Sequence, residues 1–136
     1  MGTWSVDAFG NDDAADWAAE LEEAEDLTPV RAALDEVLAV GKAYLDAVVA
    51  THALAAIEAI ARLQGHWGVR NSYTAHVDQW VKHTRLPVPA ELAAKAHQVV
   101  QRILGEKSEL KDLWQEGDEF DAWQTSVREL ASRVKR

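Results

Sequence analysis

Between Asp46 and Gln64 the chain is apolar on almost every side of a helix, with Thr51, Glu58 and Arg62 as one narrow polar stripe and Gly65 as the stop. A helix of this kind needs neighbours covering it on several sides. The rest of the chain must therefore wrap around this segment. It does not read as a membrane span, because Thr51, His52, Glu58 and Arg62 interrupt the apolar run.

The segments available to wrap it carry the same helical period. Asn11 or Asp12 can cap a first helix with Ala14, Trp17, Ala18 and Leu21 inward and Asp12, Asp16, Glu20 and Glu23 as a solvated stripe. Thr28 as cap and Pro29 at the first helical position open a second, facing inward through Val30, Ala33, Leu34, Val37 and Leu38, and Gly41 closes it. Asn71 or Ser72 opens another, facing inward through Tyr73, Val77, Trp80 and Val81. Pro89 leads into the most regular pattern, Leu92, Ala93, Ala96, Val99, Val100, Ile103 and Leu104. Ser108 caps a short helix with Leu110, Leu113 and Trp114, and Asp118 precedes a last one bearing Phe120, Trp123, Val127, Leu130, Ala131 and Val134. The expectation is an all-α compact bundle of about six to seven helices over residues 11–136. Residues 1–10 form a short extended aromatic arm laying Trp4 and Phe9 on the body, and the whole chain 1–136 is one domain.

The excess charge is local. Of 23 acidic residues, nine lie before Leu27 with no Lys or Arg among them, and the remainder is balanced, 14 acids against 14 bases. Trp4, Phe9 and Trp17 interleave with these acids, which argues for a docked segment over a disordered tail. A net charge of −9 disfavours nucleic acid and anionic membranes as partners and suits a basic protein. With 48% hydrophobic and 27% charged residues the chain reads as a soluble globule. The absence of a basic, apolar leader at the N-terminus points to the cytoplasm.

Gly2-x-Trp4, followed by Phe9-x-Asn11-Asp12-x-Ala14-x-Asp16-Trp17, resembles the opening of a bacterial family of unknown function whose members begin Gly-x-Trp-Gly and continue Phe-x-Asn-Asp-x-Ala. Ala53–Gly65 and Ser108-Glu109-Leu110-x-x-Leu113-Trp114 are similar to it too, so the resemblance runs over nearly the whole chain. Ser5 stands where the family tends to have Gly. The resemblance implies no activity.

Candidate chemistry is sparse. There is no cysteine, which removes disulfides, thiolate metal sites and Cys nucleophiles. Metal ligation lacks Glu-x-x-His, His-x-x-x-His and His-Glu-x-x-His, so no metal and no cofactor is expected. No serine sits in Gly-x-Ser-x-Gly, and no phosphate loop occurs. His52, on the flank of the central helix, reads as a hydrogen-bonded core residue before a proton carrier. Residues 62–107 are mildly basic, through Arg62, Arg70, Lys82, Arg85, Lys95, Arg102 and Lys107; with Trp67, Tyr73 and Trp80 nearby they offer an anion or nucleotide site, while the favoured plain reading turns these bases toward the acidic first helix, within one molecule or across a dimer. Trp67, in the loop Gly65-His66-Trp67-Gly68, is the tryptophan expected at the surface as a contact residue.

Two functional expectations follow. One is a non-enzymatic interaction module, antitoxin- or immunity-like, meeting a basic partner through Asp12, Asp16, Glu20, Glu23 and Trp67, or a second copy in a homo-oligomer. The other is a ligand-binding protein or enzyme with a pocket near the central helix at His52, His66, Trp67 and Tyr73.

Overall fold

The computed structural model describes residues 8–136, and the expectation for Trp4 and the rest of 1–7 lies outside them. Seven helices follow in order: α1 (Asp12–Leu21), α2 (Thr28–Ala39), α3 (Ala47–Leu63), α4 (Ala75–Thr84), α5 (Ala90–Leu104), α6 (Glu109–Gln115) and α7 (Phe120–Arg133). No strand occurs among the described residues; a lone parallel bridge joins Leu45 to Ser108. None of these helices is long and apolar enough to cross a membrane. The all-α bundle is as the periodicity predicts.

α3 is the hub. It packs against each of the other six helices, and Ala50 to Arg62 is buried without interruption except at His52. The Asp46 carboxylate starts it by accepting from Val48 N at 2.8 Å and Val49 N at 3.3 Å. It stops in a Schellman turn: Gly65 takes φ +87°, Gly65 N donates to Arg62 O, and His66 N donates to Ala61 O, both at 2.9 Å. Only a residue tolerant of positive φ reverses the chain there, and that reversal sends 66–74 back across the end of α3.

The inward faces of α1, α2, α5 and α7 follow the apolar pattern, burying Trp17, Leu21, Leu34, Val37, Val99, Ile103, Trp123 and Val127 among others. Asn11 caps α1 through Oδ1 on Ala14 N at 2.8 Å. Phe9 is buried as expected, although Ala8–Gly10 form a turn and bend and not an extended arm. α2 and α5 are further tied by Arg31–Glu91 at 2.6 Å and Lys95–Asp35 at 2.7 Å. Arg102 donates to the carbonyls of Gly41, Ala43, Glu106 and Lys107, clamping the α2–α3 and α5–α6 connections together. The chain end is clasped as well: His66 Nδ1 meets Arg133 O, His97 Nε2 meets Val134 O, both at 2.7 Å, and Gln64 pairs with both main-chain polar groups of Lys135.

Several local expectations are corrected. α2 begins one residue earlier than the Thr-cap reading, because Asp26 Oδ1 accepts from Thr28 N at 3.0 Å and takes the capping role. That bond holds the Asp26 carboxyl below its ordinary pKa. α4 begins at Ala75, since Asn71 Oδ1 takes Tyr73 N and Thr74 Oγ1 takes Asn71 N, closing a turn before the helix. Tyr73 consequently stands 60% exposed instead of inward. Leu113 is 45% exposed, because α6 is too short to bury both sides. The Ser108 hydroxyl caps nothing: it is fully buried with no hydrogen-bond partner, while the flanking Lys107 O and Glu109 N make the bridge's hydrogen bonds to Leu45. Among the tryptophans, Trp17, Trp80 and Trp123 are buried, and Trp80 Nε1 donates to Ala24 O at 2.9 Å.

Candidate functional site

Where the reversed segment 66–74 crosses α3 and α7, it covers a group of charges inside the bundle. Glu58 and Arg62, one turn apart on α3, are its base. Arg62, only 2% exposed, donates to Asp78 Oδ1 of α4 at 2.9 Å and to Val69 O at 2.7 Å. Thr74 Oγ1 donates to the other Asp78 oxygen at 2.6 Å, so that carboxylate is held on both sides. From the last residue of α7, Arg133 places a two-pronged contact on Glu58, 2.9 Å and 2.8 Å. Its Nε donates to Glu129 at 2.7 Å and its Nη1 to His66 O at 3.2 Å. Burial works against the Arg133 charge, yet the carboxylates of Glu58 and Glu129 more than offset this and raise its pKa above the ordinary arginine value.

Two local features permit this arrangement. Gly68 lies flat against the Arg133 guanidinium, where an added Cβ would come within 2.8–2.9 Å of three of its atoms. Trp67 is half-buried between two cations, its ring 5.5 Å from the Arg62 guanidinium carbon and 4.6 Å from that of Arg70. The tryptophan expected to be a free surface contact is instead the roof of a buried arginine.

Beside this network lies a cleft of about 300 Å³, with Leu54, Val127 and Leu130 as its apolar wall, Glu58, Arg62 and Arg133 as its charged side, and Val69, Asn71 and Tyr73 at its edge. Phe9 closes one end, and Ser126 and Glu129 of α7 complete the opposite bank.

Of the residues singled out from sequence, Tyr73 lines the cleft, while His52, His66 and Trp67 do not. His66 and Trp67 belong to the segment whose Val69, Asn71 and Tyr73 stand at its edge. His52 is half-buried on α3 with no hydrogen bond among the described residues, which does not match the hydrogen-bonded core reading. Asp12, Asp16 and Glu20 are exposed on the outer face of α1, and Glu23 is exposed in the turn beyond it. None of the four forms an ion pair among the described residues, and no group of three metal-ligating side chains occurs there. Three of the bases of 62–107 are engaged elsewhere: Arg62 and Lys95 pair with Asp78 and Asp35, and Arg102 serves carbonyls. His76 meets Glu22 at the C-terminal end of α1.

Sequence reasoning missed the grouping of Glu58, Arg62, Asp78 and Arg133. A signal existed, since two opposite charges four residues apart in an otherwise apolar helix must find partners when that helix is buried.

No curated protein and no solved structure matches the chain. A family model described as a domain of unknown function, DUF4259, matches residues 2–126 of the 136, and the chain belongs to that family.

Proposed function

We propose that this chain, acting as one domain, is a binding module in the cytoplasm whose site is the cleft between α3, the segment 66–74 and α7. One observation carries the reading: the cleft combines an apolar wall with a rigid set of polar groups, the arrangement that ligand sites favour. The charged side chains along it are committed to one another, which suits binding better than proton or group transfer. A small-molecule panel followed by backbone and side-chain NMR shifts tests it. Ligands should perturb Asn71, Tyr73 and Ser126 together, and Ser126→Leu, which projects bulk into the cleft, should abolish the response with the fold intact. A panel whose every hit maps elsewhere removes the proposal.

A second reading keeps the acidic face of α1 as a docking surface for a basic protein, in the manner of an antitoxin or immunity protein. It is favoured by the exposure of Asp12, Asp16, Glu20 and Glu23 without cationic partners among the described residues. Neutralising Asp12, Asp16 and Glu20 as Asn, Asn and Gln should weaken capture of such a partner and leave its salt dependence shallower. Unchanged capture ends this reading.

A further inference from the structure

We propose that the cleft takes a small neutral polyhydroxylated ligand, of the size of one monosaccharide ring; the inference rests on the cleft being the binding site. The charges come first. Four charged side chains line the cleft, Glu58, Arg62, Glu129 and Arg133, two of each sign. Each is already held: Arg133 by Glu58 and Glu129 at 2.7–2.9 Å, Arg62 by Asp78 at 2.9 Å. An anion approaching Arg62 or Arg133 meets the carboxylates that flank them, and a cation approaching Glu58 or Glu129 meets Arg133. A charged ligand meets an opposing charge beside each group it could pair with, and gains little here without displacing an existing partner.

Arg62 Nε makes no hydrogen bond but is buried away from the cleft, and Glu129 keeps Oε1 outside its bond to Arg133; the other free polar groups are neutral. Asn71 Oδ1 is fixed by Tyr73 N at 2.9 Å, so the amide orientation is set and its Nδ2 keeps two donors without a partner among the described residues. Tyr73 and Ser126 also line the cleft, and their hydroxyls have no partner among the described residues either. One amide donor pair and two hydroxyls, each able to give and accept, match ligand hydroxyls and not formal charges. The Tyr73 ring and Val69 are the two most exposed large apolar side chains among the described residues, and both stand on this rim. An exposed ring beside hydrogen-bonding groups fits a ligand with an apolar C–H face and a hydroxylated edge. A volume of about 300 Å³ accommodates a single ring and not an oligomer.

The test uses the full chain, labelled for NMR, titrated with neutral aldohexoses and N-acetylhexosamines, with hexose 6-phosphate, free amino acids and alkylamines as charged comparisons. The neutral sugars should shift the Asn71 side-chain NH₂ and the Ser126 signals saturably and more tightly than any charged probe. Tyr73→Ala, at an exposed position, should weaken them roughly three- to tenfold without unfolding the protein. Tighter binding of the phosphate, amino acid or amine at these residues overturns the neutral-ligand inference while leaving the cleft as a site. Silence from every class of probe overturns both.

Discussion

Replacing Arg133 by Met leaves the Glu58 carboxylate, 10% exposed, without the two hydrogen bonds that neutralise it. Arg62 compensates only in part, because its Nε lies 3.3 Å from Glu58 without making a hydrogen bond, and its Nη groups are turned to Asp78 and Val69. Removing one partner of a buried ion pair costs about 3–5 kcal/mol, and the adjoining cleft, which admits water to Glu58, places this case near about 3 kcal/mol. Losing the Glu129 contact adds at most about 1 kcal/mol, since that carboxylate is 56% exposed. The double variant Glu58→Met with Arg133→Met leaves Arg62 and Asp78 as a self-neutral pair and should cost only about 1–2 kcal/mol. Urea unfolding followed by far-ultraviolet circular dichroism, with linear extrapolation and a check that the slope is constant, measures all three variants. A coupling energy of at least about 2 kcal/mol is expected. Gly68→Ala adds an internal control: its Cβ collides with a guanidinium that four hydrogen bonds prevent from swinging away, so it should destabilise wild type and be nearly silent in Arg133→Met. An Arg133→Met cost below about 1 kcal/mol, or simple additivity of the two Met substitutions, refutes the buried-pair reasoning.

Other expectations are simpler. Asn11→Ala removes the α1 cap and should cost about 1 kcal/mol in the same unfolding assay; no change would mean the Ala14 amide finds another acceptor. Ser108→Ala deletes a buried hydroxyl that has no partner, so it should raise stability by about 1 kcal/mol, and a loss would reveal a bond to the hydroxyl. The Tyr44 hydroxyl donates to Asp112 at 2.8 Å, and this bond pushes its pKa up to about 12. The contact is complete below the ordinary tyrosine pKa of about 10 and is lost as pH rises through about 12. A tyrosinate absorbance titration of Tyr73→Phe isolates Tyr44, and Asp112→Asn should bring its midpoint down; an unmoved midpoint refutes the assignment.

The sequence by itself determined the helices and the faces they bury. The apolar period of α5 and α7, the all-round apolar character of α3, an α1 cap at Asn11 or Asp12 and the Gly65 stop are local facts, written within one or two turns of chain, and a helix with an apolar stripe has no choice but to bury it. Tyr73 shows where local reading fails: it continues the inward pattern of α4, but side-chain bonds at Asn71 and Thr74 form a turn there first. The candidate site lay beyond such reading altogether. Arg62 finds Asp78 16 residues away and Glu58 finds Arg133 75 residues away, so which charges meet depends on how α3, α4 and α7 cross. Glu58 and Arg62 announced that partners had to exist, because a charge carried into a core must be neutralised. Only the tertiary structure decided which residues those were, that Gly68 and Trp67 would close over them, and that a cleft would remain alongside.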